Sequence, residues 1–515
     1  MRPIIYFLPA WSGSKSNWEA EEPLWYSHKK IEFDDTVNQV RMFAQAGQAV
    51  ELVVPTYFPN YRHFAFRQRL STIQTFNIFD YLQQIPRSLP QVVLDPRDFN
   101  WPSDAALVYG PNELLIYRGP VLYARVEQGL EGNLLGIDRY DDEQNLVKRL
   151  DFDDRGFLSR ISYYQAGKIM QQDYLDINGS VQFSQDAAGR ITLADPAALG
   201  FSQDQFPNLG AIVQAGVKKF FDSKLQPEDL VVVAAQADNL DFASQINPQQ
   251  LILSYFYNRE KITANSPLAQ EAALVLADSD HNYQLLHNSG VERLLELPPF
   301  DARLNLGASN QEASLQIFFL ADDLAAPDLK AALREILLTM ENNHLVELTI
   351  GSYQGYELKI TISQILQEFQ DEQNFKNRYT FDRPNPNRNL ADDAEKQTVR
   401  RLKFVSLSSE KQLIQLLQAV RVIVNLAAEP DLFLQLAGIS SGLPQILRVP
   451  SQYVLDHQNG LIISQITDLQ AALTYYLDGL KHWNEALVFA TQMIKKYTGP
   501  EIVAKILETV NKPKG

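Results

Sequence analysis

Between about residues 105 and 205 the chain changes its period, and the change limits the folds open to it. Turn sequences recur at Asp153-Asp154-Arg155-Gly156, Gln165-Ala166-Gly167, Asp176-Ile177-Asn178-Gly179 and Asp186-Ala187-Ala188-Gly189, with their glycines 10 to 12 residues apart. That is the spacing of antiparallel hairpins. Glycine suits each turn because the backbone must visit positive φ there. β-Formers fill the intervals, as in Phe157-Leu158-Ser159-Arg160-Ile161-Ser162-Tyr163-Tyr164 and Ser180-Val181-Gln182-Phe183. The pattern predicts a β-meander, whose two wide faces make it a candidate binding platform.

On either side of this zone strands alternate with helices, which predicts parallel sheets covered by helices. Ile4 to Leu8 reads as a strand, Thr36 to Ala44 carries apolar residues at helical spacing, and Val50 to Val54 returns as a strand. Beyond the meander, Asp229 to Ala235, Gln250 to Tyr255 and Ala272 to Ala277 read as further buried strands. Leu297-Pro298-Pro299-Phe300-Asp301-Ala302-Arg303-Leu304 cannot be helical, since paired prolines break the hydrogen-bond ladder, and it marks a domain boundary. A second α/β domain follows, with strands at Gln316 to Leu320, Leu345 to Ile350, Lys403 to Ser406, Val422 to Asn425, Pro444 to Leu447 and Leu461 to Ile463. Two helices, Leu469 to Leu480 and Trp483 to Tyr497, are expected to close the chain. The expected architecture is therefore α/β, with two Rossmann-like domains and an inserted antiparallel meander. Residues 1–105 and 206–297 form the first domain, 106–205 the meander, 298–480 the second domain and 481–515 the closing helices. A chain of 515 residues is long enough for several cores.

Charge and composition exclude some functions. A formal net charge of −16 argues against a nucleic-acid groove or an anionic membrane surface, both of which select basic patches. With no cysteine, disulfides, thiolate metal sites and cysteine nucleophiles are ruled out, and the composition suits a reducing cytoplasm. No apolar run reaches the roughly 18 residues of a membrane span. The opening Ile4 to Leu8 is too short for a signal peptide.

Glu429-Pro430-Asp431-Leu432-Phe433-Leu434-Gln435-Leu436-Ala437-Gly438-Ile439-Ser440-Ser441-Gly442-Leu443-Pro444-Gln445-Ile446 is similar to the nucleotide-sugar segment of retaining glycosyltransferases. In those enzymes two glutamates flank the start of a helix and hold hydroxyls of the donor, because a carboxylate accepts hydrogen bonds only. Here Glu429 keeps the first position and Ala437 occupies the second. Such enzymes also carry a basic pair near the first strand of the second domain, where electrostatic stabilisation of the leaving diphosphate is a large catalytic term. The corresponding stretch, Phe318-Phe319-Leu320-Ala321-Asp322-Asp323-Leu324-Ala325-Ala326-Pro327-Asp328, offers adjacent acids and no base. No catalytic residue and no cofactor are expected, and Glu429 reads equally well as a carboxylate near a helix N-terminus. Gly438-Ile439-Ser440-Ser441-Gly442 matches a nucleophile elbow in letters only, since a helical run precedes Ser440 and a strand follows it. The seven histidines form no metal-ligand pair, and no phosphate-binding glycine loop appears.

Aromatic residues crowd the loops after the first two strands. Trp11, Trp18 and Trp25 follow Ile4 to Leu8, and Tyr57 and Tyr61 follow Val50 to Val54. Loops at this edge of an open α/β sheet bind ligands, and rings there can stack on sugars or anchor a partner. Packing that pins a long loop explains the same residues equally well. An acid in Glu32-Phe33-Asp34-Asp35-Thr36 is placed to cap the helix that follows.

Several segments together resemble the first of the accessory secretory proteins of the accessory Sec system. They are Phe7 to Gly13 with its Phe-x-Pro-Ala-Trp-x-Gly pattern, Glu32 to Thr36, Leu94-Asp95-Pro96-Arg97-Asp98, Phe152 to Phe157 and Leu297 to Leu304. The resemblance implies a non-catalytic relative of glycosyltransferases of the GT-B architecture, from bacteria that export serine-rich-repeat adhesins. It implies partners in the other two accessory secretory proteins, a dedicated SecA motor ATPase and the glycosylated adhesin. The location implied is cytoplasmic, or peripheral at the membrane through the translocase. Two other readings stay open: an active glycosyltransferase modifying the serine-rich repeats, and a stand-alone carbohydrate-binding protein.

Overall fold

The computed structural model describes residues 3–11, 18–19, 34–86, 88–110, 113–129, 132–256, 259, 266–303, 305–375, 378–381 and 400–512. The chain divides into two compact units, residues 1–276 with 285–294, and residues 277–284 with 295–515.

The first unit holds two sheets. One has seven strands in the order Leu294–Glu296, Leu274–Ala277, Leu251–Tyr255, Leu230–Ala234, Ile4–Leu8, Ala49–Val54, Gln74–Asn77. The five strands from Leu251–Tyr255 to Gln74–Asn77 pair in parallel. Their near-continuous apolar runs are what a sheet covered on both faces requires. Helix Asp35–Gln45 begins at Asp34, whose carboxylate accepts the Val37 amide at 3.0 Å, as the acidic run before it predicted. Val37, Val40 and Phe43 on its inner face are buried, and Phe43 meets Phe7 edge to face.

The second sheet of this unit has ten antiparallel strands running in chain order from Ala105–Tyr109 to Gln205–Phe206. The expected turn glycines Gly156, Gly167, Gly179 and Gly189 all have positive φ, between 73° and 90°. At Gly156 a Cβ would also lie 1.9 Å from the Val92 carbonyl oxygen, so no other residue fits without displacing that segment. Leu114, Ile116, Ala124, Val126, Ile137 and Phe152 form an apolar cluster on the meander. Gln83 fastens the meander to the parallel sheet by donating to the carbonyls of Ser159 at 2.8 Å and Leu175 at 2.7 Å. Arg155 does the same by bridging Asp80 and Asp153. Elsewhere Arg160 is held by Asp151 at 2.9 Å and lies 4.5 Å from the Tyr57 ring. Burial opposes its charge, but Asp151, Tyr174, Tyr57 and Glu19 outweigh burial and hold the guanidinium pKa well above its ordinary value.

The second unit is built on one seven-stranded sheet, all of it parallel. Its order is Tyr379–Phe381, Arg400–Ser406, Val346–Ser352, Leu315–Leu320, Val420–Asn425, Gln445–Leu447, Gly460–Ile462. Helix Ala326–Asn342 lays Leu329, Leu333, Ile336 and Leu337 against Phe319, Ile350 and Val422 of the sheet, all fully buried or nearly so. Each such side chain contributes about 1.5–3 kcal/mol of burial. Three helices close the chain, Leu469–Leu477, Lys481–Ile494 and Gly499–Asn511. The third corrects the expectation of two. Gly499-Pro500 suggests a stop, but a proline in the first helical turn has no amide to lose and starts the helix instead. Among the described residues no helix is long and apolar enough to cross a membrane.

Candidate functional site at the strand ends of the second unit

Seven parallel strands bring all their carboxyl ends to one edge, the place where open α/β sheets hold ligands. After Leu315–Leu320 the chain passes through Asp322 and Asp323. Asp322 is buried, and both its oxygens are occupied by the neighbouring strand end. Oδ1 accepts the Ser352 hydroxyl and Oδ2 the Tyr353 amide, each at 2.8 Å. Burial pushes its pKa up, and the bonds from Tyr353 and Ser352 oppose that rise. Asp323 sits at φ 58°, a left-handed conformation that aspartate tolerates better than most residues. Tyr353 is partly buried, and its enclosed hydroxyl has its pKa driven well up by burial and then by Asp431 and Asp322.

The segment similar to the nucleotide-sugar signature lies at the same edge. Glu429 is exposed, and the helix Leu432–Ser441 is capped by Asp431, whose Oδ1 accepts the Leu434 amide at 2.6 Å. Ala437 is buried within that helix, presenting only a methyl group. Gly442 ends the helix in the left-handed region at φ 69°. Ser440 is a helix-end residue, as its context implied: its hydroxyl donates to the Leu436 carbonyl at 2.8 Å and accepts the Arg303 amide at 3.1 Å. Asn425, which ends the strand Val420–Asn425, is buried with an amide nitrogen that has no partner among the described residues.

One cation reaches this edge that nothing in the local sequence announces. Arg448 follows the strand Gln445–Leu447 and binds Asp328, in the first turn of Ala326–Asn342, at 2.6 Å. The pair is partly exposed, and the acid neutralises the guanidinium. Among the described residues this edge carries carboxylates bound to backbone amides, an arginine paired with an acid, and a methyl group at position 437. No group of three or more His, Asp or Glu able to hold a metal occurs among the described residues.

The aromatic residues expected at the first unit's loops are mostly core. Trp11 is 2% exposed and meets the rings of Phe64 at 5.0 Å and Phe58 at 6.1 Å. Tyr57 is 4% exposed and packs edge to face on Phe79 and Tyr174. Tyr61 is half-buried, shares a hydrogen bond with the Thr75 hydroxyl at 2.7 Å, and has its pKa pushed up to about 12 by burial. Trp18 is 5% exposed against Phe242, and its carbonyl accepts the Tyr57 amide at 2.6 Å. Trp25 lies outside the described residues. The reading of these rings as an open stacking surface is therefore corrected for Trp11 and Tyr57. Their large apolar area does more by packing the loops onto the sheet than by facing water.

A family model for accessory secretory protein 1 of the accessory Sec system matches residues 4–512. The accessory secretory protein 1 of the Streptococcus gordonii accessory Sec system is 32% identical over 520 residues, covering 98% of this chain and 98% of that protein. The crystal structure of accessory secretory proteins 1, 2 and 3 in Streptococcus pneumoniae contains a chain with TM-score 0.82 at 27% identity, with 98% of each chain covered. The pneumococcal O-GlcNAc transferase GtfA, solved with UDP and GlcNAc, gives TM-score 0.69 at 12% identity over 99% of this chain and 100% of that one, a likeness of GT-B fold alone. With the motifs of the sequence and the two α/β units in agreement, this chain belongs to the family of accessory secretory protein 1 of the accessory Sec system.

Proposed function

We propose that this protein is a non-catalytic scaffold of the accessory Sec system. It assembles with the other two accessory secretory proteins and presents the glycosylated serine-rich-repeat adhesin to the accessory SecA motor, working in the cytoplasm at the face of the translocase. Membership of the family and similarity to a chain of a three-protein complex support the assembly. The observation that carries the absence of catalysis is the electrostatics of the second unit's strand ends. Asp322 and Asp323 follow the first strand of the second unit, where the resemblance to retaining glycosyltransferases expects cations for a leaving diphosphate; Arg448 is paired with Asp328, and Ala437 carries only a methyl group. Carboxylates beside a diphosphate repel it, which disfavours the charge stabilisation that drives glycosyl transfer.

Two measurements on the purified full chain test this. Co-expressed with the other two accessory secretory proteins, it is expected to co-purify as a stoichiometric complex. Incubated with labelled nucleotide sugars and adhesin repeats, alone or in that complex, it is expected to give no hydrolysis and no transfer. Turnover that disappears on substitution of Glu429 would replace the scaffold by an active glycosyltransferase, and failure to co-purify would remove the assembly role.

A further inference from the structure

Arg149, Arg155, Arg160 and Arg259 all lie largely out of water, and each is paired with carboxylates. Arg149 meets Glu127, Asp138 and Asp151, Arg155 meets Asp80 and Asp153, Arg160 meets Asp151, and Arg259 meets Asp35. Arg421 breaks the pattern. It is the second residue of the strand Val420–Asn425, at the amino edge of the second unit's sheet, and is 5% exposed. Its Nη2 donates to the Ser309 carbonyl at 3.1 Å, whereas Nε and Nη1 are buried with no acceptor among the described residues. Burial lowers its pKa, with no neighbouring acid to raise it, yet a guanidinium keeps its proton in a protein.

The surroundings of Arg421 add positive potential. Its guanidinium carbon lies 4.8 Å from the centre of the Trp483 ring, and the Trp483 indole nitrogen donates to the Arg421 carbonyl at 3.0 Å. A ring face attracts a cation without neutralising it. Trp483 is the third residue of the 14-residue helix Lys481–Ile494, so the guanidinium stands by the positive end of that helix. The first turn there carries no acid, and its N-cap, Leu480, supplies no side-chain acceptor. Glu485, in the next turn, is largely exposed and engaged by His482 at 3.0 Å. The Ser309 hydroxyl is buried and also lacks a partner among the described residues. The linker that carries it packs tightly: the Ala308 amide donates to the Gln418 carbonyl at 2.8 Å, and a Cβ on Gly307 would meet that same oxygen at 2.8 Å.

We infer that Arg421, the Ser309 hydroxyl and the start of the helix Lys481–Ile494 form a binding site for a small monovalent inorganic anion of the size of chloride. A buried cation without a counter-charge is costly, and an anion beside it restores the pairing that carboxylates give the other arginines. One guanidinium supplies one positive charge, which matches a monovalent ion. Phosphate or sulfate brings further charge and oxygens, with no second buried cation here to meet them. At 5% exposure Arg421 also offers little surface to a carboxylate from another protein. Bound there, the ion fastens the linker and the helix start to the amino edge of the sheet, the edge opposite Asp322 and Asp323.

The test uses the full-length chain. Thermal unfolding is followed at constant ionic strength while chloride replaces gluconate, an anion too large for the site, and chlorine NMR reads the line broadening of chloride that exchanges with the protein. A saturable rise in the unfolding midpoint and saturable broadening that bromide competes away are expected. Arg421→Met keeps apolar contact with Trp483 and removes the charge, and both signals are expected to be lost. Ser309→Ala is expected to weaken chloride binding about tenfold, the effect of losing one hydrogen bond to a charged group. In crystals of the parent chain soaked with bromide, anomalous density is expected beside Nε or Nη1 of Arg421, a readout that no folding defect in a variant can obscure. The inference is overturned if chloride and gluconate give the same midpoint and line width, if either variant responds as the parent does, if phosphate competes more strongly than bromide, or if bromide occupies other places only.

Discussion

At the strand ends of the second unit, Asp322 and Asp431 give their oxygens to the chain's own amides, and Arg448 is neutralised by Asp328. At the corresponding edge of the first unit, Asp238 has an oxygen with no donor among the described residues, and amide side chains stand around a groove. Both edges follow from parallel α/β sheets, and both carry acids. What separates them is whether those acids are already satisfied. A carboxylate bound to two protein donors has little left to offer a ligand, while one lacking donors gains free energy from any hydroxyl that reaches it. A fold shared with glycosyltransferases therefore does not by itself tell where binding capacity lies.

The largest expected effect falls on the first unit. Arg160→Ala strips Asp151 and Glu19 of a shared partner and empties the space beside Tyr57 and Tyr174. Breaking a buried pair in this way costs about 3–5 kcal/mol, read as a lower urea midpoint. A loss under about 1 kcal/mol, the value of exposed pairs, would show that the network is solvated and that the groove's floor is not rigid. In the second unit, Asp322→Ala leaves the Ser352 hydroxyl and the Tyr353 amide without their acceptor. The expected cost is about 1–3 kcal/mol. A neutral or stabilising result would mean that Asp322 is held there at a stability cost, which is the mark of a ligand-binding acid and would erase the contrast between the edges.

Protonation supplies a smaller effect. Asp34 is pushed up to about 7, by burial first and then by Asp35, and Asp154 to about 7, by burial and then by Asp153. Glu296 is raised to about 7 by burial, then by Asp280 and Asp278. Each folded pKa lies above the unfolded value of about 4, so the stability these groups contribute is complete below about pH 4 and is lost as pH rises through 7. Thermal unfolding at pH 5.5 is therefore expected above that at pH 8. Asp34→Asn, which still caps the helix Asp35–Gln45, should flatten this slope, and an unchanged slope would contradict the assignment to Asp34. The smallest expected effect is none. Ala437→Glu alone should give no sugar transfer, because the diphosphate still lacks cations, and measurable transfer would contradict the account of Asp322 and Asp323.

Much of the fold was legible in the sequence because it rests on period. Turn glycines at regular spacing fixed the meander, and apolar runs of four to six residues marked strands such as Leu230–Ala234 and Val420–Asn425. The capping role of Asp34 and the helix-end place of Ser440 were readable for the same reason, since both depend on neighbours within four residues. Arg448 was missed because its meaning comes from Asp328, 120 residues away along the chain. The sequence left the aromatic residues open between a stacking surface and loop packing for a related reason: whether Trp11 faces water depends on Phe58 and Phe64 folding over it.

The groove shows the limit most clearly. Trp18, Gln185 and Asp238 come from separate stretches of chain, and no spacing among them announces that they line one groove. Sequence by itself determined the α/β alternation, the inserted meander, the alanine at position 437 and the adjacent acids Asp322 and Asp323. These are local or compositional properties, settled by which side chains the polypeptide carries. Tertiary structure alone decided which carboxylates are satisfied and which keep a buried oxygen without a donor among the described residues. Hydrogen bonds act over about 3 Å, and only the folded chain brings residues so distant in sequence within that reach.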